Sequence, residues 1–237
     1  MPNTYFQFKH FKINQEKSSM KVGTDGILLG SLIRDHTYNQ ILDVGTGTGL
    51  LALMCAQRFS MSHVDGIEID YDSFIQAKEN FSGSAWRNKL SAHYISFQDF
   101  WSSCHKKYDL IVCNPPFFPN DLKSEVKSKM LSRHQVRLTH EDLVKGSKLL
   151  LREGGRLYVI IPFGLKEDFI NLCNQNGLFL FGDYLIRTKP DKKFSRVVLS
   201  FSDEESMVYT KEITIADSES NYTEEFKSLT RDFYLDF

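Results

Sequence analysis

The run QILDVGTGTGLLALMCAQRF, Gln40 to Phe59, constrains this chain more than any other stretch. A short apolar segment reads as a buried strand, glycines at 45, 47 and 49 read as a tight turn, and the Leu/Ala-rich continuation from Leu50 reads as a helix. A strand that turns straight into a helix starts a βαβ unit, and its next parallel strand must return by a right-handed crossover.

The pattern repeats downstream. HVDGIEID reads as a second strand ending in acids, and YDSFIQAKENF as a helix whose start Asp72 or Ser73 would cap. SAHYISFQDFW reads as a third strand and YDLIVCNPPFF as a fourth. HEDLVKGSKLLLREGGRLYVIIP reads as a helix, a Gly154–Gly155 turn and a fifth strand, and LKEDFINLCNQNG as a helix stopped by Gly177. LFLFGDYLIRTKPDKKFSRVVLSF then reads as two strands around a turn at Lys189 to Lys193. Upstream, YFQFKHFKI suggests a short strand or hairpin, and a loop at Gly23 to Gly26 leads into an apolar helix. The expected architecture is α/β, a doubly wound, mostly parallel sheet closed by an antiparallel strand pair.

Length fits one domain over residues 1–237, since an apolar content of 41% supplies a single core. No run of about 18 apolar residues occurs and the first residues lack the order of a signal peptide, so a soluble, cytoplasmic protein is expected. Cys55, Cys104, Cys113 and Cys173 are scattered without metal-ligand spacing, which argues against a disulfide framework or a metal site. From Ser202 onward three Lys/Arg stand against ten Asp/Glu, leaving 26 against 20 in the rest. The body is therefore basic and residues 202–237 form an acidic extension, a division that permits a basic face.

The glycine turn lies where an open α/β sheet binds ligands, at a strand's carboxyl end. A dinucleotide fingerprint would place Gly or Ala where Leu50 stands, and Asp43 beside the turn disfavours a pyrophosphate while favouring a cation. S-adenosylmethionine carries an ammonium and a sulfonium. Glu68 is placed to accept both ribose hydroxyls of such an adenosine, and Asp99 to accept from the adenine amino group. With Gly45, Gly47 and Gly49, these acids form the expected cofactor site.

DVGTGTG, GIEID, the acid of QDF and NPPF, in this order, resemble the class I S-adenosylmethionine-dependent methyltransferases that act on exocyclic amino or amide nitrogens. The resemblance gives the unusual ending of YDLIVCNPPF a purpose. An exocyclic amine is a poor nucleophile because its lone pair is delocalised into the ring. Acceptors gripping both N–H groups, the Asn114 side-chain oxygen and the Pro115 carbonyl, would free that lone pair. Pro115 and Pro116 would hold the grip rigid, and Phe117 would stack on the ring. Cys113 precedes the asparagine and is expected in the core, which excludes methylation through a cysteine nucleophile.

KVGTDGILLG, SRHQ with LTHEDL, and YTEEFKSLTRDFYL extend the resemblance over nearly the whole chain to one family, the tRNA(Val) adenine N6-methyltransferases, which modify the adenine 3′ of the anticodon. The resemblance implies that residues 1–35 cover substrate and cofactor, with Lys21, Gly23, Thr24 and Asp25 over the cofactor. Basic residues after the NPPF segment, among them Arg133 and His134, and those of the late turn, Lys192 and Lys193, are the expected tRNA contacts. A monomer or weak oligomer acting on tRNA, with neither DNA nor membrane as partner, is expected. Two alternatives stay open: a release-factor glutamine N-methyltransferase, whose amide nitrogen poses the same chemical problem, and a ribosomal-RNA guanine or adenine N-methyltransferase.

Overall fold

The computed structural model describes residues 3–18, 20–115 and 138–237. An antiparallel hairpin, β1 (Tyr5–Gln7) and β2 (Lys12–Asn14), precedes α1 (Thr24–Leu32). Strand and helix then alternate through β3 (Gln40–Val44), α2 (Leu50–Arg58), β4 (His63–Glu68), α3 (Tyr71–Ser82), β5 (Leu90–Tyr94), α4 (Phe97–Ser103) and β6 (Tyr108–Cys113). From residue 138 onward come α5 (His140–Leu150), β7 (Leu151–Pro162), α6 (Lys166–Gln175), β8 (Phe179–Arg187), β9 (Arg196–Ser202), β10 (Tyr209–Thr214) and α7 (Glu224–Thr230).

Eight strands form one sheet in the order β10-β8-β9-β7-β6-β3-β4-β5. β5, β4, β3, β6 and β7 run parallel, and β9 lies antiparallel between β7 and β8. The doubly wound expectation and its late antiparallel pair are both borne out. The acidic segment adds an eighth strand, β10, parallel to β8 at the edge.

Alternate strand residues enter two cores, as period-two side-chain geometry requires. Ile41, Leu110 and Val112 face the layer of α1, α2, α3, α7 and the hairpin, while Leu42, Val44 and Ile111 face α4, α5 and α6. α1 is apolar on every side and is buried from Gly26 to Leu32, the fate of a helix without a polar face. Gly26 and Gly30 let it approach α2 closely: a Cβ on either would lie 2.9 Å from Leu50 or 2.7 Å from Met54.

Four local expectations are corrected. α1 begins at Thr24, inside the span expected as a loop. Asp70, not Asp72 or Ser73, caps α3, because its extended backbone lets the carboxylate accept from Ser73 N at 2.8 Å. SFQDFW forms α4 and not the end of a strand, since Ser96 accepts from Asp99 N and Phe97 and Phe100 bury on one helical face. Gly154–Gly155 is an irregularity within the single strand β7, where the register against β6 jumps between Tyr108 and Leu110.

The strand order reverses at β3 and β6, which opens a crevice beyond their carboxyl ends. Register pairs Val44 with both Ile67 and Cys113. The glycine turn, Glu68 and Asn114 therefore emerge side by side.

Candidate active site

Gly45, Gly47 and Gly49 all have positive φ, of 70°, 55° and 86°, a region glycine enters without steric cost. A Cβ on Gly45 or Gly47 would meet nothing within 4 Å, so these two bound open space, whereas one on Gly49 would strike Phe81 at 2.5 Å. Thr46 turns inward, and its hydroxyl donates to Asp43 Oδ2 at 2.6 Å. Gly66 on β4 makes room for it, since a Cβ there would lie 2.9 Å from that hydroxyl.

Asp43 is fully buried behind the turn. Its Oδ2 accepts also from Ala52 N at 3.1 Å, and Oδ1 lacks a hydrogen-bond partner among the described residues. Burial raises its carboxyl to about 7, outweighing the opposite pull of the Thr46 hydroxyl and the Ala52 N–H.

Glu68 is half-buried at the end of β4. Its Oε2 accepts from Gly47 N at 2.8 Å and its Oε1 from Ile69 N and Asp70 N at 2.8 and 2.9 Å. Three of about four acceptor positions on the carboxylate are thus occupied, so holding two ribose hydroxyls requires a backbone bond to be released. Asp99 is exposed in the first turn of α4, where its carboxylate accepts from the Ser96 hydroxyl at 2.6 Å, closing a helix cap.

The amino-terminal residues pack against the start of α2. Gly23 precedes α1, Thr24 begins it, and the contact of Gly26 with Leu50 sets them beside the glycine turn. Lys21 donates to the carbonyls of Gln15 and Ser18, folding its own segment, and Asp25 accepts from Arg196 Nε at 2.8 Å.

Asn114 and Pro115 follow β6 directly. Asn114 Oδ1 is shielded from solvent and has no hydrogen-bond partner among the described residues. A buried acceptor left unpaired is costly, so such a group marks a position where a donor is wanted. Cys113 is a core thiol, 0% exposed, and burial pushes it well above its ordinary value. Pro116, Phe117, Arg133 and His134 lie outside the described residues. Lys192 and Lys193 are exposed in the turn between β8 and β9. Because β8 runs parallel to β7 and β6, that turn stands on the crevice side of the sheet. Among the described residues no group of three or more His, Cys, Asp or Glu could hold a metal ion, and no helix is long and apolar enough to cross a membrane.

Sequence reasoning missed two residues that shape the site, Thr46 and Asn80, whose amide reaches the Thr48 carbonyl, and it grouped Arg196 with the basic residues of the late hairpin without its bond to Asp25. Only the polar character of Asn80 in an otherwise buried helix face signalled it.

Residues 18–172 match the family model described as methyltransferase small domain. The chain is 40% identical over 233 residues to a tRNA1(Val) (adenine(37)-N6)-methyltransferase from Histophilus somni, covering 98% of each. It is 39% identical to one of the same name from Trichodesmium erythraeum, covering 100% of each. Among solved structures, a predicted O-methyltransferase from Agrobacterium tumefaciens superposes with a TM-score of 0.70 at 15% identity, over 88% of this chain and 96% of that one. A ribosomal protein L11 methylase from Lactobacillus delbrueckii gives 0.53 at 18%, over 76% and 77%. These two likenesses concern the fold.

Proposed function

Since the chain belongs to the tRNA1(Val) (adenine(37)-N6)-methyltransferase family, we propose that it methylates the exocyclic N6 of adenine 37 in a valine tRNA, with S-adenosylmethionine as methyl donor. When bound, that cofactor supplies a methyl group on a positively charged sulfur. The residues present fit it: among the described residues, Gly45 and Gly47 bound open space with their backbone, and buried Asp43 lies behind them with one carboxylate oxygen unpartnered. Gly45, Gly47 and Gly49 would hold it from beneath, Asp43 through its charge, Glu68 at the ribose and Asp99 at the adenine. Lys21, Gly23, Thr24 and Asp25 would border it from the amino-terminal side.

The observation that carries the reaction is Asn114 Oδ1, buried at the end of β6 and without a hydrogen-bond partner among the described residues. Asn114 Oδ1 and the Pro115 carbonyl accept the two N–H groups of the target amine. Their fixed position at the end of β6 means that little reorganisation remains at the moment of transfer. Proline at 115 contributes a carbonyl without a competing N–H donor. No general base is required, because the proton leaves a methylated ammonium to water. Phe117 stacks on the adenine ring, and Lys192, Lys193, Arg133 and His134 meet the phosphates. An unpaired base suits the site, since it reaches the grip without melting a helix.

Nucleoside mass spectrometry of valine tRNA from cells lacking this chain should show loss of N6-methyladenosine. The purified chain should restore it in vitro, and Asn114→Ala should do so roughly 10²-fold more slowly or worse, with S-adenosylhomocysteine bound within a few-fold of the unaltered chain. Persistence of N6-methyladenosine with loss of methyl from a release-factor glutamine would replace this reading with the protein-methyltransferase one.

A further inference from the structure

Helix α3 carries a polar stripe on its inner side. Ser73, Gln76 and Asn80, spaced three and four apart, fall on one helical face and are 5%, 2% and 3% exposed. Polar side chains buried this deeply are costly unless their hydrogen bonds are made. Here they are made to the amino-terminal segment. Ser73 donates to the Ser18 hydroxyl at 2.9 Å, and Gln76 Oε1 accepts from Lys17 N at 3.1 Å. Asn80 Oδ1 accepts from Asn14 N, and its Nδ2 donates to Asn14 O, both at 2.9 Å.

Asn80 does one thing more. Its Nδ2 also donates to the Thr48 carbonyl at 2.8 Å, inside the glycine turn. Within the same turn, Gly47 N donates to Glu68 at 2.8 Å. Two peptide groups of a glycine-rich segment, the kind with most conformational freedom to lose, are thereby pinned on either side of the Gly47–Thr48 peptide. We infer that Asn80 is a positioning residue for the cofactor site: it holds the glycine turn in its binding form and fastens the amino-terminal segment to it. The inference rests on reading the glycine turn as the S-adenosylmethionine site.

The test is calorimetric titration of the full chain with S-adenosylhomocysteine, joined to steady-state kinetics with tRNA. Asn80→Ala should weaken binding at least about ten-fold, and the loss should fall on KM for S-adenosylmethionine while kcat at saturating cofactor stays within about three-fold. Gln76→Ala is the control, because Gln76 grips the same segment at the same depth without touching the turn. It should lower the thermal midpoint while leaving cofactor affinity within about two-fold. If Asn80→Ala fails to fold, Asn80→Asp keeps the size and the acceptor for Asn14 N but cannot donate to Thr48, and the same loss is expected. Equal losses in the Gln76 and Asn80 variants, or binding indifferent to Asn80, would overturn this inference alone. Absence of binding by the unaltered chain would overturn the cofactor reading and this inference with it.

Discussion

At the scale of single residues, Asp43 carries the most direct physical consequence. Burial lifts its carboxyl from 3.8 to about 7. Between those values the folded chain keeps a proton that the unfolded chain has lost, so this group makes folding less favourable as pH rises through that window and adds no further change above it. A cation bound nearby favours the ionised form. Affinity for S-adenosylmethionine should therefore strengthen by about five-fold between about pH 6 and 7.5. Asp43→Asn should weaken binding and flatten that profile in calorimetry at several pH values. A flat profile in the unaltered chain would detach Asp43 from the cofactor. Asn114 complements this acid: the Oδ1 atom of each is buried without a hydrogen-bond partner among the described residues.

At the scale of elements, the β8–β9 hairpin sets where Lys192 and Lys193 stand. Its turn stands on the crevice side only because β8 re-enters the sheet parallel to β7. Lys192 pairs with Asp191 at 3.3 Å, both well exposed, and an exposed ion pair is worth little enough to yield to a phosphate. Arg196, by contrast, is tied to Asp25 across 171 positions and joins the hairpin to the start of α1. Lys192→Ala and Lys193→Ala should each reduce the salt slope of tRNA binding by about one, uniformly across tRNA sequences. Filter binding from low to moderate salt measures this, and an unchanged slope would make both lysines ordinary surface charges.

At the scale of the molecule, the acidic segment from Ser202 is built into the fold. β10 extends the sheet, and Phe226 and Phe233, at 0% and 2% exposure, share a core with Phe8, Phe11 and Ile13 of the amino-terminal segment. Lys9 N donates to the Phe233 carbonyl at 2.8 Å, and Lys9 Nζ to that of Arg231 at 2.5 Å. Both ends of the described chain therefore brace the layer over α1 and α2. Phe226→Ala should cost about 3–5 kcal/mol. We expect urea denaturation to show one transition with a lowered midpoint, as a single cooperative unit requires. A separate early transition would mean that the acidic segment folds on its own.

Much of this was legible along the chain because its causes are local. The period-two apolar runs, the alternate glycines and the Asn-Pro-Pro stop each act within a few residues, so Gly45, Gly47, Gly49, Glu68 and Asn114 could be placed at strand ends from their neighbours alone. Even there the cap of α3 moved to Asp70 and SFQDFW became a helix, because backbone angles at a strand's end and burial of Phe97 and Phe100 outweighed aromatic alternation. What tertiary structure alone decided are the bonds between distant positions: Asn80 to Thr48 and Asn14 across 32 and 66 residues, Asp25 to Arg196, and the seat of the tail on the hairpin. A hydrogen bond of that range has no local signature. It exists only once the two cores have packed the elements against the sheet, and burial then penalises a polar group left inside without a partner.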